Sequence, residues 1–194
     1  MNIGKFFDHE VDEHLDTLLL TRASLDLKNQ FIQLVKVSKE SIKKGHKIVF
    51  FGNGGSAADA QHLATELACR YNKDRKPIAG LAITTDTSLL TAIGNDYGFK
   101  HSFERQIFAL CKKGDIAIGI STSGKSENII LALRAAKKVG MVTTAFSAGN
   151  GAKLKRLAKP LLLVPSDVTA RIQEMHIMLG QMFCSALEQE LHLV

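Results

Sequence analysis

Tryptophan is absent from this chain, and its 194 residues include only two tyrosines, three cysteines and three prolines. Each scarcity excludes something. With so few flat side chains on which bases could stack, and no basic run interleaved with aromatics, direct nucleic-acid binding is not expected. Cys69, Cys111 and Cys184 are odd in number, far apart and free of any Cys-x-x-Cys spacing. They suggest neither a disulfide framework nor a thiolate zinc site, and read as reduced thiols filling the core. No proline- or glycine-rich linker divides the chain, so residues 1–194 are read as one domain. No apolar run is long enough to span a bilayer. The opening "MNIGKFFDHEVDEH" carries four acids and lacks the apolar centre of a secretion signal, so an unprocessed, cytoplasmic protein is expected.

What is present points elsewhere. The net charge of +6 comes largely from scattered pairs, Lys43-Lys44, Lys112-Lys113, Lys137-Lys138 and Lys155-Arg156 with Lys153. Each lies near a predicted helix end, where cations complement the dipole. A small anionic ligand is a more economical partner for such a surface than a polyanion.

Residues 1–45 show leucines and other apolar residues at helical spacing, with Gly45 as the stop. From there the period switches between strand and helix. "KIVFF", "IAGLAIT" (78–84), "DIAIGIS" (115–121), "MVTTAFS" (141–147) and "PLLLVP" (160–165) are predicted strands. Helices are predicted from about Ser56, over "DTSLLTAIG" with Asp86 and Ser88 as caps, over 101–111, to Gly140, briefly after the fourth strand, and over about 168–191. Strands apolar throughout and alternating with helices predict an α/β fold with a five-stranded parallel sheet covered on both faces. Ligands then bind at the carboxyl ends of the strands, where strand order reverses.

Two loops echo one another there. "STSGKSEN" (121–128) places Ser121, Thr122, Ser123 and Ser126 around Gly124 at a helix start, more hydroxyls than one cap needs, and suits a phosphate. It is neither a Walker loop nor Gly-x-Gly-x-x-Gly, so a dinucleotide is not indicated. "GNGGSAADA" (52–60) has fewer hydroxyls. Asn53 and Ser56 can bond sugar hydroxyls, and Gly54 and Gly55 permit close backbone approach. A capped βα turn would account for either loop taken singly. "GNDYGF" (94–99) sets Asn95 and Asp96 after a helix, as an Asx-turn or a carbohydrate contact. His62 and Glu66 share a helix face at i, i+4, as a surface pair or as a metal-binding or proton-shuttling pair. Gln173, His176 and Gln181 lie on the last helix, apolar on nearly all sides and therefore expected in the core or a subunit interface.

Taken together, "FFGNGGSAADAQHLATEL", "TTDTSLLTAIGNDYGF", "GDIAIGISTSGKSENII" and "VPSDVTARIQEMHI" resemble the bacterial phosphoheptose (sedoheptulose-7-phosphate) isomerases of the SIS, or sugar isomerase, family. The likeness spans nearly the whole chain in the same motif order. A sister group, the DnaA initiator-associating proteins, shares much of it and offers the alternative of a non-catalytic scaffold that binds the replication initiator DnaA. The resemblance implies a flavodoxin-like sheet and a homotetramer with sites at subunit interfaces, the N-terminal helical segment serving oligomer packing. It implies conversion of sedoheptulose 7-phosphate to D-glycero-D-manno-heptose 7-phosphate, the first step of ADP-heptose synthesis for lipopolysaccharide. By that likeness Ser121, Thr122, Ser123 and Ser126 hold phosphate, while Asn53, Gly54, Gly55, Asn95 and Asp96 line the sugar. His62, Glu66 and Gln173 are zinc ligands or catalytic groups, Glu66 moving the proton. One position departs from the family: Gln181 stands where the isomerases carry a second histidine, acid/base and fourth zinc ligand. A neutral amide neither titrates near neutrality nor ligates zinc well.

Overall fold

Apolar side chains alternate along strands that have no solvent face, and this decides the layering. The computed structural model describes residues 1–194. The order is α1 (Ile3–Ala23), α2 (Leu25–Lys43), β1 (Ile48–Gly52), α3 (Gly55–Ala68), β2 (Gly80–Ala82), α4 (Thr87–Tyr97), a 3₁₀ turn (Phe99–His101), α5 (Glu104–Leu110), β3 (Ile116–Ile120), α6 (Glu127–Val139), β4 (Val142–Ala148), a second 3₁₀ turn (Ala152–Arg156), β5 (Leu161–Val164) and α7 (Thr169–Glu190). All five strands are parallel, in the order β2-β1-β3-β4-β5. Every residue of β1 and β3 is buried. Ile48, Phe50, Ile116, Ile118 and Ile120 face a core shared with α2, α3 and α7. Val49, Phe51 and Ala117 point the other way, into a core with α5 and α6. This is the two-sided α/β sheet predicted from the sequence, and its strand order reverses between β1 and β3.

Several boundaries differ. The predicted N-terminal helix is two helices broken at Ser24, whose side chain accepts from Leu27 N at 3.3 Å and so caps α2 in place of continuing α1. Gly45, at φ +76°, does end α2. Asp86 caps α4 through Leu89 N at 2.9 Å, whereas Ser88 lies inside that helix. α4 runs through Gly94 to Tyr97 and ends at Gly98, φ +87°. Asn95 and Asp96 therefore occupy its last turn, and the Asx-turn expectation is corrected. β2 is only three residues long, shorter than 78–84.

The last helix is mainly a core element. Ile172, Met175, Leu179, Phe183 and Leu187 are buried against the sheet, while Met182 is exposed. α1 is different: it buries only Thr17 and Thr21, and leaves Phe6, Phe7, Val11, Leu15, Leu19 and Leu20 in solvent. No helix is long and apolar enough to cross a membrane.

Candidate active site

The loop after β3 turns back at Gly124, φ +62°, whose amide donates to the Ser121 carbonyl at 3.2 Å. A side chain at Gly124 would also meet the Gly151 carbonyl at 2.9 Å, so only glycine fits this turn. The Ser121 hydroxyl donates to Ser126 Oγ at 3.3 Å, and Ser123 Oγ accepts from Lys125 N at 3.2 Å. Ser126 precedes α6 without making a side-chain cap, so the N–H groups of Glu127 and Asn128 are left for a ligand. A cavity of about 360 Å³ opens beside the loop, lined by Thr122, Ser123 and Lys125, by Asn150 after β4, and by Asp167 and Thr169 before and at the start of α7. Lys125 has no role that its motif alone would assign. It supplies the one cation of that wall.

The loop after β1 is more committed to the protein itself. Asn53 Nδ2 donates to Asn128 Oδ1 at 2.9 Å, and Asn128 Nδ2 returns a bond to Asn53 Oδ1 at 2.8 Å. Asn128 is buried, donates also to Ser102 Oγ at 3.3 Å, and accepts from Ile129 N at 3.0 Å. This amide pair ties the two loops together across the switch point. Its members are 75 residues apart, which is why sequence reasoning found only Asn53. Ser56 is turned inward, 3% exposed. Gly54 takes φ +55°, and a Cβ on Gly55 would fall 2.5 Å from Gln173 Nε2. Gly55 is thus the seat on which the Gln173 amide of α7 rests.

α3 and α7 run side by side in the same direction. Beyond the Gly55–Gln173 contact, a Cβ on Gly180 would strike Leu63 Cδ1 at 2.5 Å, and Cys184 Sγ donates to the Leu63 carbonyl at 3.9 Å. Gln181, half-buried, is the next residue of α7 after Gly180. On α3 the expected pair forms: His62 Nε2 and Glu66 Oε1 are 3.0 Å apart, with side chains 46% and 20% exposed. One turn earlier is Asp59, absent from the sequence reading. Burial raises its carboxyl to about 6, partly offset by the nearby His62, and Asp59 Oδ2 is buried without a partner.

The expected sugar contact of Asn95 and Asp96 is placed outside this group, and His176 lies in the core as its helix predicts. Asn95 and Asp96 are exposed on α4, Asn95 Nδ2 donating to Asp96 Oδ1 at 2.8 Å, and neither lines the cavity. His176 is fully buried, its Nε2–H facing the Ser147 carbonyl at 3.0 Å, and burial lowers it to about 4. It supports β4 from beneath.

A zinc ion finds a poor donor set here. No group of three or more His, Cys, Asp and Glu side chains is arranged so as to hold a metal ion. Of the expected ligand set, the one imidazole and the one carboxylate are already bonded to each other on α3, and the other two members, Gln173 and Gln181, are neutral amides on α7. Zinc sites are built from thiolates, imidazoles and carboxylates, so the residues present do not fit it and no step is derived through a metal.

The parallel sheet order and the hydroxyl loop at its carboxyl edge are those of a sugar isomerase domain, and the signature of the SIS domain matches residues 16–148. The phosphoheptose isomerase of Paramagnetospirillum magneticum is 51% identical over 188 residues, 97% of each chain. That of Aquifex aeolicus is 51% identical over 82% of this chain and 84% of its own. Among solved structures, the phosphoheptose isomerase of Neisseria gonorrhoeae is 38% identical with a TM-score of 0.91, over 97% of this chain and all of that one. The Francisella tularensis phosphoheptose isomerase is 31% identical with a TM-score of 0.93, over the same shares. The chain belongs to the phosphoheptose isomerase family of SIS-domain proteins.

Proposed function

We propose that the protein interconverts sedoheptulose 7-phosphate and D-glycero-D-manno-heptose 7-phosphate, the entry to ADP-heptose synthesis. The observation that carries this reading is the bonded His62–Glu66 pair on a helix whose first turn abuts the hydroxyl loop's neighbour, Asn53. The names of the relatives favour catalysis over the DnaA-binding scaffold. The phosphate sits on Ser121, Thr122, Ser123 and Ser126 at the start of α6, with Lys125 as counter-charge. Gly54 and Gly55 leave the backbone open to the sugar chain, while Asn53 is held by Asn128 and steadies that loop, and Asn95 and Asp96 stay outside the group on α4. Glu66 removes a proton from C1 of the ketose. The electron pair closes the C1–C2 double bond, and the C2 carbonyl oxygen takes a proton from His62 to give the enediol. Loss of the O1 proton to His62 reforms a carbonyl at C1 while Glu66 returns its proton to C2. Protons and electrons balance, and no oxidant is needed. The Gln173 and Gln181 amides hold the two oxygens by hydrogen bonds and transfer no proton.

The exposed apolar stripe of α1 is the surface on which a homotetramer assembles. Incubation with sedoheptulose 7-phosphate, with and without zinc, should yield the aldoheptose phosphate. Absence of product in both would sink the isomerase reading. Gln181→His supplies the imidazole that a zinc set lacks. Zinc should then raise the melting temperature of that variant and leave the parent's unchanged.

A further inference from the structure

The chain leaving α3 is gripped by a single side chain. The side chain of Arg75 is 0% exposed and pairs with that of Glu188 of α7, itself 2% exposed. Its Nε donates to Glu188 Oε1, and the same oxygen accepts from Tyr71 N at 3.1 Å. The rest of the guanidinium faces the end of α3. Nη2 donates to the carbonyl of Glu66 at 2.7 Å, and Nη1 to those of Leu67 at 2.8 Å, Lys76 at 3.2 Å and Cys69 at 3.4 Å. α3 ends at Ala68, so Glu66 and Leu67 are among the last carbonyls, for which the helix has no partner of its own. A cation here also meets the negative end of the helix dipole. Glu188 balances a charge that would be costly to bury alone.

We propose that Arg75 and Glu188 are a positioning pair for the isomerisation, fixing the last turn of α3, and with it Glu66, against α7 and its Gln173 and Gln181. The proposal rests on Glu66 being the proton carrier. Glu66 lies two residues from its helix end, where opening is easiest, and its carboxylate is held only by His62. The pair grips the backbone of the same residue. Gly55 at the other end of the seam and Gly180 midway along it set the spacing of α3 and α7, so the Arg75–Glu188 pair fixes the remaining end of a rigid alignment. A lysine could not replace the arginine, because its point charge lacks the planar fork that reaches Glu66, Leu67 and Glu188 together. The phosphate loop belongs to β3 and α6 and does not touch this pair. Its disturbance should therefore lower kcat and leave KM alone.

Arg75→Lys and Glu188→Gln test this. Glu188→Gln keeps an acceptor for Arg75 and Tyr71 and serves where Arg75→Lys does not fold. For a reacting group displaced by a fraction of an ångström, kcat should fall about tenfold or more with KM for sedoheptulose 7-phosphate unchanged. Amides at 66–70 should lose hydrogen-exchange protection while those of α6 keep theirs. A folded variant with the parent's kcat, a KM that rises while kcat holds, or protection lost evenly across the protein would each overturn the proposal. An inactive parent, or an active Glu66→Gln, overturns the role of Glu66 and this proposal with it. An inactive Glu66→Gln beside a fully active Arg75→Lys overturns this proposal alone.

Discussion

Between β1 and α3 the chain runs Gly-Asn-Gly-Gly-Ser, and between β3 and α6 it runs Ser-Thr-Ser-Gly-Lys-Ser. Both follow a fully buried strand, both turn on a glycine with positive φ, and both start a helix. Their polar groups go to different uses. In the first loop the Asn53 amide is spent on Asn128 and Ser56 faces the core. In the second, Thr122, Ser123 and Lys125 open on the cavity. The difference is one of division of labour. The β1 loop is a rigid mount that aims α3, and with it His62 and Glu66. The β3 loop is the anion cradle. Two loops of similar composition can therefore be told apart by whether their polar atoms are already paired within the protein.

That contrast can be broken by crossing the readouts. Glu66→Gln keeps size and hydrogen bonding but removes the base. It should lower kcat at least ~10²-fold, with sugar-phosphate affinity retained. Unchanged turnover would return His62 and Glu66 to the status of a surface pair. Conversely, Ser121→Ala with Ser123→Ala should abolish ligand-induced stabilisation, which for the parent at a hundredfold excess over Kd is about 2.7 kcal/mol. A double variant stabilised as much as the parent would make the β3 loop a helix start and nothing more.

The mount predicts a stability effect. Asn128→Ala leaves both Asn53 amide atoms and the Ile129 N–H without their partners, and should cost about 1–3 kcal/mol in urea unfolding. Because Asn53 and Asn128 satisfy each other, adding Asn53→Ala should cost much less than the sum of the two single changes. Additive losses would mean that Asn53 is free for the sugar after all, and would weaken the contrast between the loops.

What could be read in advance follows the same line. The sheet was legible because each strand is a short apolar run bounded by turn residues, and periodicity reports local geometry directly. The β3 loop was legible because its hydroxyls cluster within six positions. Partners distant in sequence were not. Asn128 reads as an ordinary first-turn residue until Asn53 is placed beside it, and Arg75 reads as a surface arginine in a polar loop until α7 brings Glu188. The break at Ser24 was hidden by leucines that keep helical spacing across it, although Ser24 with Asp26 two residues on is a capping signal. The reading of "DTSLLTAIG" as a helix with Asn95 and Asp96 after it stops too soon, because a glycine inside a helix weakens it without ending it. The helix runs through Gly94 to Gly98, the position that needs positive φ.

Asp59 gives the smallest effect and separates the mount from the proton-handling pair. It lies between them on α3, one turn before His62, and burial lifts its carboxyl from 3.8 to about 6. The folded state therefore holds this proton more tightly than the unfolded chain does. Across the window between those two values the folded state remains protonated while the unfolded chain ionises, so stability from this group falls as pH rises. Below 3.8 it costs nothing, and above about 6 the penalty is fully expressed. Asp59 is partly exposed, so the shift is discounted for solvent to about 1 kcal/mol. Asp59→Asn keeps the shape and removes the charge. It should stabilise the protein by about that much above the window and by nothing below it, read from urea midpoints at both ends. A gain equal at both ends would be a packing effect. A loss of stability above the window would reverse the sign, and would mean that a neighbour such as His62 holds Asp59 ionised in the folded state.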